Sequence, residues 1–397
     1  MLRGFGYAGG RGRDVRGMDS SGRIRLVGLD GIRGLAALFV VLHHSYLMAF
    51  PGFPETHAPA WTGFLLYGHF AVVVFIVLSG FSLAVSPARN GWRLDSKAKF
   101  ARRRAWRILP PYWPALVFSL IIAWTLVPQP GEGVPTGKSV VLYGFLLQDV
   151  FGSPSPNGAF WSIAVEAQLY FVFPLMLLAL RRAGATVMLG VTTGVVVLIG
   201  ALAPHVSVVD ALTRFTPQFA ALFAAGVVAA GIVSAQEKWH RVRWQWWAFA
   251  AVVPVIALIV VMGPVWTTSN FLWVDLAAGP AVALLLVAVA TRQPKPLVRL
   301  LDTAPMRSLG SFSYSLYLTH APIVVVAYTF VVGPLFGTGL GAFGVMLLIC
   351  VPVTVAFARG FAALFEIPFV KHRSWAALKG AVAARRAPTP EPVPAAD

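Results

Sequence analysis

Most of this 397-residue chain is a succession of apolar runs, each long enough to cross a bilayer and each ended by Pro, Gly or basic residues. About 20 apolar residues in an α-helix match a hydrocarbon core roughly 30 Å thick, and a helix satisfies its own backbone hydrogen bonds in lipid. The chain is therefore read as all-α and polytopic. The runs lie near 31–50, 64–85, 110–128, 160–180, 186–204, 213–233, 246–263, 271–291, 311–333 and 340–364, which predicts ten transmembrane helices. A mean hydropathy of +0.73 with only 12% charged residues excludes an ordinary soluble globule, in which about 25% of residues are charged.

The 32 Lys and Arg residues test that count. Six lie in the first 25 residues, eight between 86 and 109, two at 181–185, three at 234–245, four at 292–310 and five in the C-terminal tail. Arg33 and Arg359 lie near the same face, and only Lys138 and Arg214 fall on the other. Basic loops mark the cytoplasmic side, so both termini are expected there, in a multi-pass protein of a bacterial inner (plasma) membrane. The net charge of +17 is then explained by topology and by anionic lipid, and no nucleic-acid motif is present. Cys350 is the only cysteine, which excludes a disulfide framework or a thiolate metal site within one chain. No metal is expected.

Residues 1–25 read as a disordered basic tail, 26–370 as the transmembrane domain and 371–397 as a cytoplasmic, largely disordered tail. The largest outer segment, 129–159, contains an apolar stretch from Val140 to Phe151 that is too short to cross. It is expected to be re-entrant or interfacial, over an outward opening.

Ionisable groups inside these spans are the strongest pointers to a site, because burying them in lipid is costly. Arg33 and His44 lie eleven residues apart in LDGIRGLAALFVVLHH. At 1.5 Å per residue that places His44 about 16 Å above Arg33 and on the same general face. Asp30 is expected to cap this helix, with Gly31 and Gly34 allowing close backbone approach. Glu166, in FWSIAVEAQLYFVFP, and His320, in GSFSYSLYLTHAPIV, reach similar depth and are expected to converge on His44. Glu166 needs a partner such as His44 or an arginine. Each has a plainer reading: Arg33 as a topology anchor, His44 and Glu166 as helix-to-helix hydrogen bonds, His320 as packing among the Ser and Tyr residues around Tyr317.

A basic cluster, Lys97, Lys99, Arg102, Arg103, Arg104 and Arg107, precedes LPPYWPAL. It suits either a polyphosphorylated ligand, with Trp106 as a stacking face, or lipid headgroups alone. Ser79 and Gly80, in FIVLSGFSLA, either admit a ligand close to the backbone or serve ordinary helix packing.

Together LDGIRGLAALFVVLHH, FIVLSGFSLA, RRRAWRILPPYW, WSIAVEAQLYFVFP, SYSLYLTHAPIV and the terminal EIPF occur in the order found in the membrane-bound acyltransferase 3 family, which this chain resembles over nearly its whole length. The resemblance implies acyl transfer, commonly of acetyl, from cytoplasmic acyl-CoA to a hydroxyl of a carbohydrate, glycolipid or glycoside acceptor at a membrane. It implies a catalytic role for His44, a required Arg33, an acidic group at Glu166, and acyl-CoA contacts at Arg104 and Arg107, with Arg102, Ser79 and Gly80 beside them. His320, Tyr317 and Trp161 are expected to support the site. Where many relatives have a second Glu, this chain has Ala167, and no carboxylate role is expected there. Two other classes fit the same residues: a glycan or lipid-linked flippase, and a haem protein using His44 and His320 as axial ligands.

Overall fold

A computed structural model describes residues 26–235, 239, 241–372 and 374–386, so the expected N-terminal tail at 1–25 lies outside the described residues. Among the described residues the chain is helical with no strand. The helices are α1 (Leu29–Ala49), α2 (His69–Arg89), α3 (Lys97–Thr125), α4 (Gly137–Gly144), α5 (Gln148–Phe151), α6 (Trp161–Leu202), α7 (Ser207–Thr213) and α8 (Gln218–Ser234). They continue with α9 (Trp244–Ser269), α10 (Phe271–Ala290), α11 (Lys295–Leu301) and α12 (Ala304–Ser311). Last come α13 (Ser313–Phe336), α14 (Leu340–His372) and α15 (Trp375–Arg386). Helix α15 falls within the segment expected to be largely disordered. Its Trp375 ring lies 5.1 Å from that of Trp106, and residues 387–397 are outside the described ones.

Eight of these helices are long and apolar enough to span a bilayer, or nine if α7 and α8, bent by 51°, form one span. The count falls below ten because the runs near 160–180 and 186–204 join in the 42-residue α6. That run is not one straight rod. Gly184 interrupts it with φ 85° and ψ 172°, a conformation that glycine adopts without a Cβ clash.

Two backbone contacts organise the bundle. At the α2–α8 crossing, a Cβ on Gly80 would lie 2.2 Å from the Phe223 carbonyl oxygen, and one on Gly226 would lie 2.1 Å from that of Val77. Gly80 thus serves helix packing and does not line a cavity, contrary to its expected place beside a ligand. At the second contact, Gly31 abuts the Leu301 backbone and Gly34 that of Leu309–Gly310, while a Cβ on Gly310 would meet the Asp30 carbonyl oxygen at 2.1 Å. These glycines seat the start of α1 directly on the end of α11 and on α12. Helix α1 begins at Leu29 with Gly28 in the capping position, so Asp30 sits within the first turn, where its Oδ1 accepts from Arg33 Nη1 at 3.1 Å. Asp30, expected as the cap, lies two positions inside the cap.

Helix α3 starts at Ser96, whose Oγ accepts from the Lys99 amide. The outer segment folds as α4 and α5 and is pinned to the bundle. Tyr112 Oη donates to the Tyr143 carbonyl at 2.8 Å, and Asn157 Nδ2 donates to the Leu318 carbonyl at 2.9 Å. Gln168 Nε2 donates to Asp149 Oδ2, while burial pushes the Asp149 carboxyl up to about 6 against the smaller lowering effect of that bond. The outer faces of α9 and of α6 beyond Gly184 are apolar and exposed, as for helices facing lipid.

Two outcomes follow from this packing. Gly226→Val should lower the detergent melting temperature by the equivalent of about 1–3 kcal/mol, the usual cost of overpacking. Gly190→Ala, at a position with nothing within 4 Å, should leave it unchanged or raise it in the same thermal scan. Because the folded pKa of Asp149 is raised, its contribution to stability is present at low pH and declines as pH rises through about 6. Amide hydrogen exchange in residues 145–160, corrected for intrinsic rate, should accelerate across that pH in wild type and not in Asp149→Asn.

Candidate active site

Helices α1, α2, α3, α6 and α13 surround a polar interior arranged in layers. At its basic end is a cavity of about 660 Å³ lined by Arg89, Arg93, Lys99, Arg103, Arg104 and Arg107 among others. Phe100, Arg103, Arg104 and Arg107 recur at i, i+3, i+4 and i+7, which puts them on one face of α3. Arg102 falls off that face and does not line the cavity, so Arg103 occupies the place expected for Arg102. Arg104 Nε and Trp106 Nε1 are buried here without a hydrogen-bond partner, which is uncommon for buried donors and marks a place where an acceptor group would be favourable.

A second, narrower cavity of about 110 Å³ shares Ser82, Leu83, Arg104 and Arg107 with the first and continues inward. Arg33, Ser79, Glu166, Tyr170, Ser162, Tyr314 and Tyr317 line it. Glu166 Oε1 accepts from Ser79 Oγ at 2.8 Å and from Tyr170 Oη at 2.5 Å, and the Arg104 guanidinium lies 6.0 Å from the Tyr170 ring centroid. Glu166 is therefore held by two hydroxyls, not by His44 or an arginine side chain as expected, although three arginines share its cavity.

The cavity ends at Phe75 and Tyr317, whose rings meet edge to face at 5.5 Å. The Tyr317 hydroxyl and Ser162 Oγ are 2.6 Å apart. Ser162 is also 3.3 Å from the Ala159 carbonyl, which can only accept, so Tyr317 is the donor of the pair.

Beyond this layer the two predicted histidines meet. His44 Nδ1 lies 2.9 Å from the Val40 carbonyl and 3.1 Å from His320 Nε2. His320 Nδ1 lies 2.8 Å from the Tyr317 carbonyl. Carbonyl oxygens only accept, so in the neutral pair both Nδ1 atoms carry the proton. The single His44 Nδ1–H is then shared between the Val40 carbonyl and the lone pair of His320 Nε2, and the remaining lone pair of the couple is on His44 Nε2. The two rings bond to each other directly, and bis-histidine ligation of a haem would require them to separate. His43 turns elsewhere, donating from Nδ1 to the Leu65 carbonyl at 2.7 Å, with its ring against Gly68. The convergence expected for three groups thus holds for His44 and His320, while Glu166 sits one layer nearer the basic end.

Three groups escaped the sequence reading. Glu366, in the EIPF piece, accepts from Ser315 N at 3.1 Å and Ser315 Oγ at 2.6 Å and ties α14 to α13. Tyr170 gave no signal apart from lying one turn after Glu166. His69 opens α2 and pairs with Asp275, a fully buried carboxylate of α10.

A profile of the acyltransferase domain of the acyltransferase 3 family matches residues 26–359. Among curated relatives, nodulation protein 10 of Rhizobium leguminosarum bv. viciae is 26% identical over 87% of this chain and 93% of its own length. The protein YrhL of Bacillus subtilis (strain 168) is 25% identical over 76% of this chain, and peptidoglycan O-acetyltransferase OatA of Listeria monocytogenes is 25% identical over 39%. The chain spans about half of YrhL, at 49%, and 24% of OatA. No solved structure is significantly similar. The profile takes in the arginine-lined cavity, the carboxylate and the paired histidines alike, and the chain belongs to the acyltransferase 3 family.

Proposed function

We propose that this protein is an integral membrane O-acyltransferase that moves an acyl group, acetyl in the simplest case, from cytoplasmic acyl-CoA to a hydroxyl of a carbohydrate or glycoside acceptor, with His44 as general base. One observation carries the reading: a partly buried histidine couple, with its free lone pair on His44 Nε2, packs behind Tyr317, which lines a cavity that opens into a basic mouth. The relatives named as acetyltransferases support the choice of group, and OatA, named for peptidoglycan, supports a carbohydrate acceptor.

The proposed topology has ten crossings with both termini on the cytoplasmic side. It counts α6 as two spans meeting at Gly184, beside Arg181 and Arg182, and α7 with α8 as one. This puts the basic mouth on the side where acyl-CoA is found.

Arg103, Arg104, Arg107 and Lys99 face the phosphates of CoA, where guanidinium groups form charge-assisted and bidentate contacts. The acyl-pantetheine arm follows the narrow cavity past Ser79, Glu166 and Tyr170. Rotation of Phe75 or Tyr317 opens the last layer to the histidines. His44 Nε2 takes the proton of the acceptor hydroxyl as its oxygen bonds to the thioester carbonyl carbon. The C–S bond then breaks, and the proton on His44 passes to the CoA thiolate, so acceptor and acyl-CoA become ester and CoA. His320 accepts from His44 Nδ1–H throughout, which fixes the tautomer and supports the imidazolium as it forms, the part that a carboxylate plays behind other catalytic histidines. Arg33, about three turns below His44, supplies a fixed cation in the narrow cavity that helps hold the CoA arm.

Purified protein with acetyl-CoA and a panel of saccharide acceptors should release CoA and yield an acetylated product by mass analysis. His44→Gln should lower kcat by at least about 100-fold, the scale of general-base catalysis, with acetyl-CoA binding retained. Full activity in folded His44→Gln excludes it as the base. Arg104→Ala and Arg107→Ala should instead raise the KM for acetyl-CoA by about 10-fold or more each, with a smaller change in kcat. An unchanged KM in both would assign the basic mouth to lipid alone.

A further inference from the structure

Helix α2 runs from the outward end of the bundle to the basic mouth: Arg89 lines the mouth and His69 lies 20 residues away, about 30 Å along the axis. At that far end His69 Nε2 lies 2.9 Å from both oxygens of Asp275, and Gln218 Nε2 donates to Asp275 Oδ2 at 3.3 Å. Asp275 is fully buried, whereas the His69 side chain keeps 15% of its exposure. A carboxylate held by an imidazole N–H and an amide N–H has its acceptors met. The imidazole does not: with Nε2–H committed to Asp275, the lone pair is on Nδ1, and that nitrogen has no hydrogen-bond partner among the described residues and is not closed off from the surface.

The surroundings of that nitrogen are aromatic. The Phe271 ring stacks on His69 with centroids 3.9 Å apart, Trp161 lies parallel to it at 6.1 Å, and Phe219 and Phe70 complete the wall. A clamp between α2 and α10 needs only the Nε2–Asp275 bond. It accounts neither for a second, open nitrogen nor for the ring's place among four aromatics. Fixed hydrogen-bonding groups beside aromatic faces match the alternating hydroxyl rims and C–H faces of a saccharide, and a bare imidazole lone pair accepts from a hydroxyl. His43, between His44 and Gly68, links this end of the bundle to the histidine couple.

We infer that His69, oriented by Asp275 and Gln218 and walled by Trp161 and Phe271, is the acceptor-binding residue: its Nδ1 takes a hydrogen bond from a saccharide hydroxyl at the end of the bundle opposite the acyl-CoA mouth. The assignment rests on the transferase reading above. It gives Trp161 a role at the acceptor end and makes Asp275 a positioning residue that acts through His69.

The test uses the full chain in nanodiscs, acetyl-CoA, and a tetrasaccharide of alternating N-acetylglucosamine and N-acetylmuramic acid as the acceptor probe. In His69→Gln the new amide donates to Asp275 as Nε2–H did but places no acceptor at the Nδ1 position. The KM for the tetrasaccharide should rise at least 10-fold while the KM for acetyl-CoA stays within twofold. A purely structural clamp predicts a lower melting temperature, with both KM values unchanged or both raised, and either result overturns the assignment. Asp275→Asn should raise the acceptor KM in the same selective way and is overturned by the same pattern. Should wild type release CoA in a His44-dependent manner yet transfer nothing to the tetrasaccharide, the saccharide assignment falls and the base assignment stands. If CoA release is absent or indifferent to His44→Gln, the earlier reading fails and this one with it.

Discussion

Hydrocarbon surrounds the bundle, so a polar side chain inside it is stable only where another polar group meets it. That constraint orders the whole interior. Glu166 is met by Ser79 and Tyr170, Tyr317 by Ser162, His44 by His320, Asp275 by His69 and Gln218, and Glu366 by Ser315. All but the Glu166–Tyr170 bond, which lies within α6, join different helices, and most lie on the five helices around the cavity. The atoms left over are therefore informative. Among the described residues Arg104 Nε and Trp106 Nε1 at the mouth lack hydrogen-bond partners, and His44 Nε2 and His69 Nδ1 carry the open lone pairs of their respective couples.

Close backbone contact supplies the rigidity these pairings need. Gly31, Gly34 and Gly310 let α1 lie directly on the end of α11 and on α12, which fixes the rotation of α1 about its axis. Arg33 and His44, about three turns apart, are thereby aimed at the same interior. The Gly80–Phe223 and Gly226–Val77 contacts do the same for α2, which carries Ser79 toward the cavity and His69 toward the opposite end. A Cβ at any of these positions would rotate or displace a helix whose polar groups have no alternative partners in lipid.

Apolar runs made the helical, membrane-spanning class legible, because bilayer thickness imposes a length that a linear sequence reports directly. The depth of His44 and His320 was legible for the same reason, since helical rise converts residue number into height. Rotation and pairing between helices were not, because they depend on contacts between distant segments. Glu166 was placed at the right depth but given the wrong partner: Tyr170 is one helical turn away and Ser79 is on another helix, and neither offers a charge to notice. Gly80 read equally well as a ligand approach or a packing position until Phe223 was seen against it. Arg102 and Arg103 are neighbours in sequence, and only the phase of α3 decides which faces the cavity. His69 drew no notice in the sequence because its partner, Asp275, is 206 residues away.

The layers also separate the two substrates of the proposed reaction. The narrow cavity is continuous with the basic mouth but stops at Phe75 and Tyr317, below the histidine couple. A thioester held there is shielded from the opposite end by two aromatic rings, and water arriving from that side meets the same barrier. The acceptor end has its own wall of Phe271, Trp161 and Phe219 around His69. His44 lies between the two, backed by His320 through Tyr317's own carbonyl. The residue that closes the donor cavity is thus covalently continuous with the carbonyl that sets the tautomer behind the base. One residue of α13 therefore serves two layers: its ring lines the donor cavity, and its carbonyl accepts from His320 Nδ1 and leaves His320 Nε2 free to face His44.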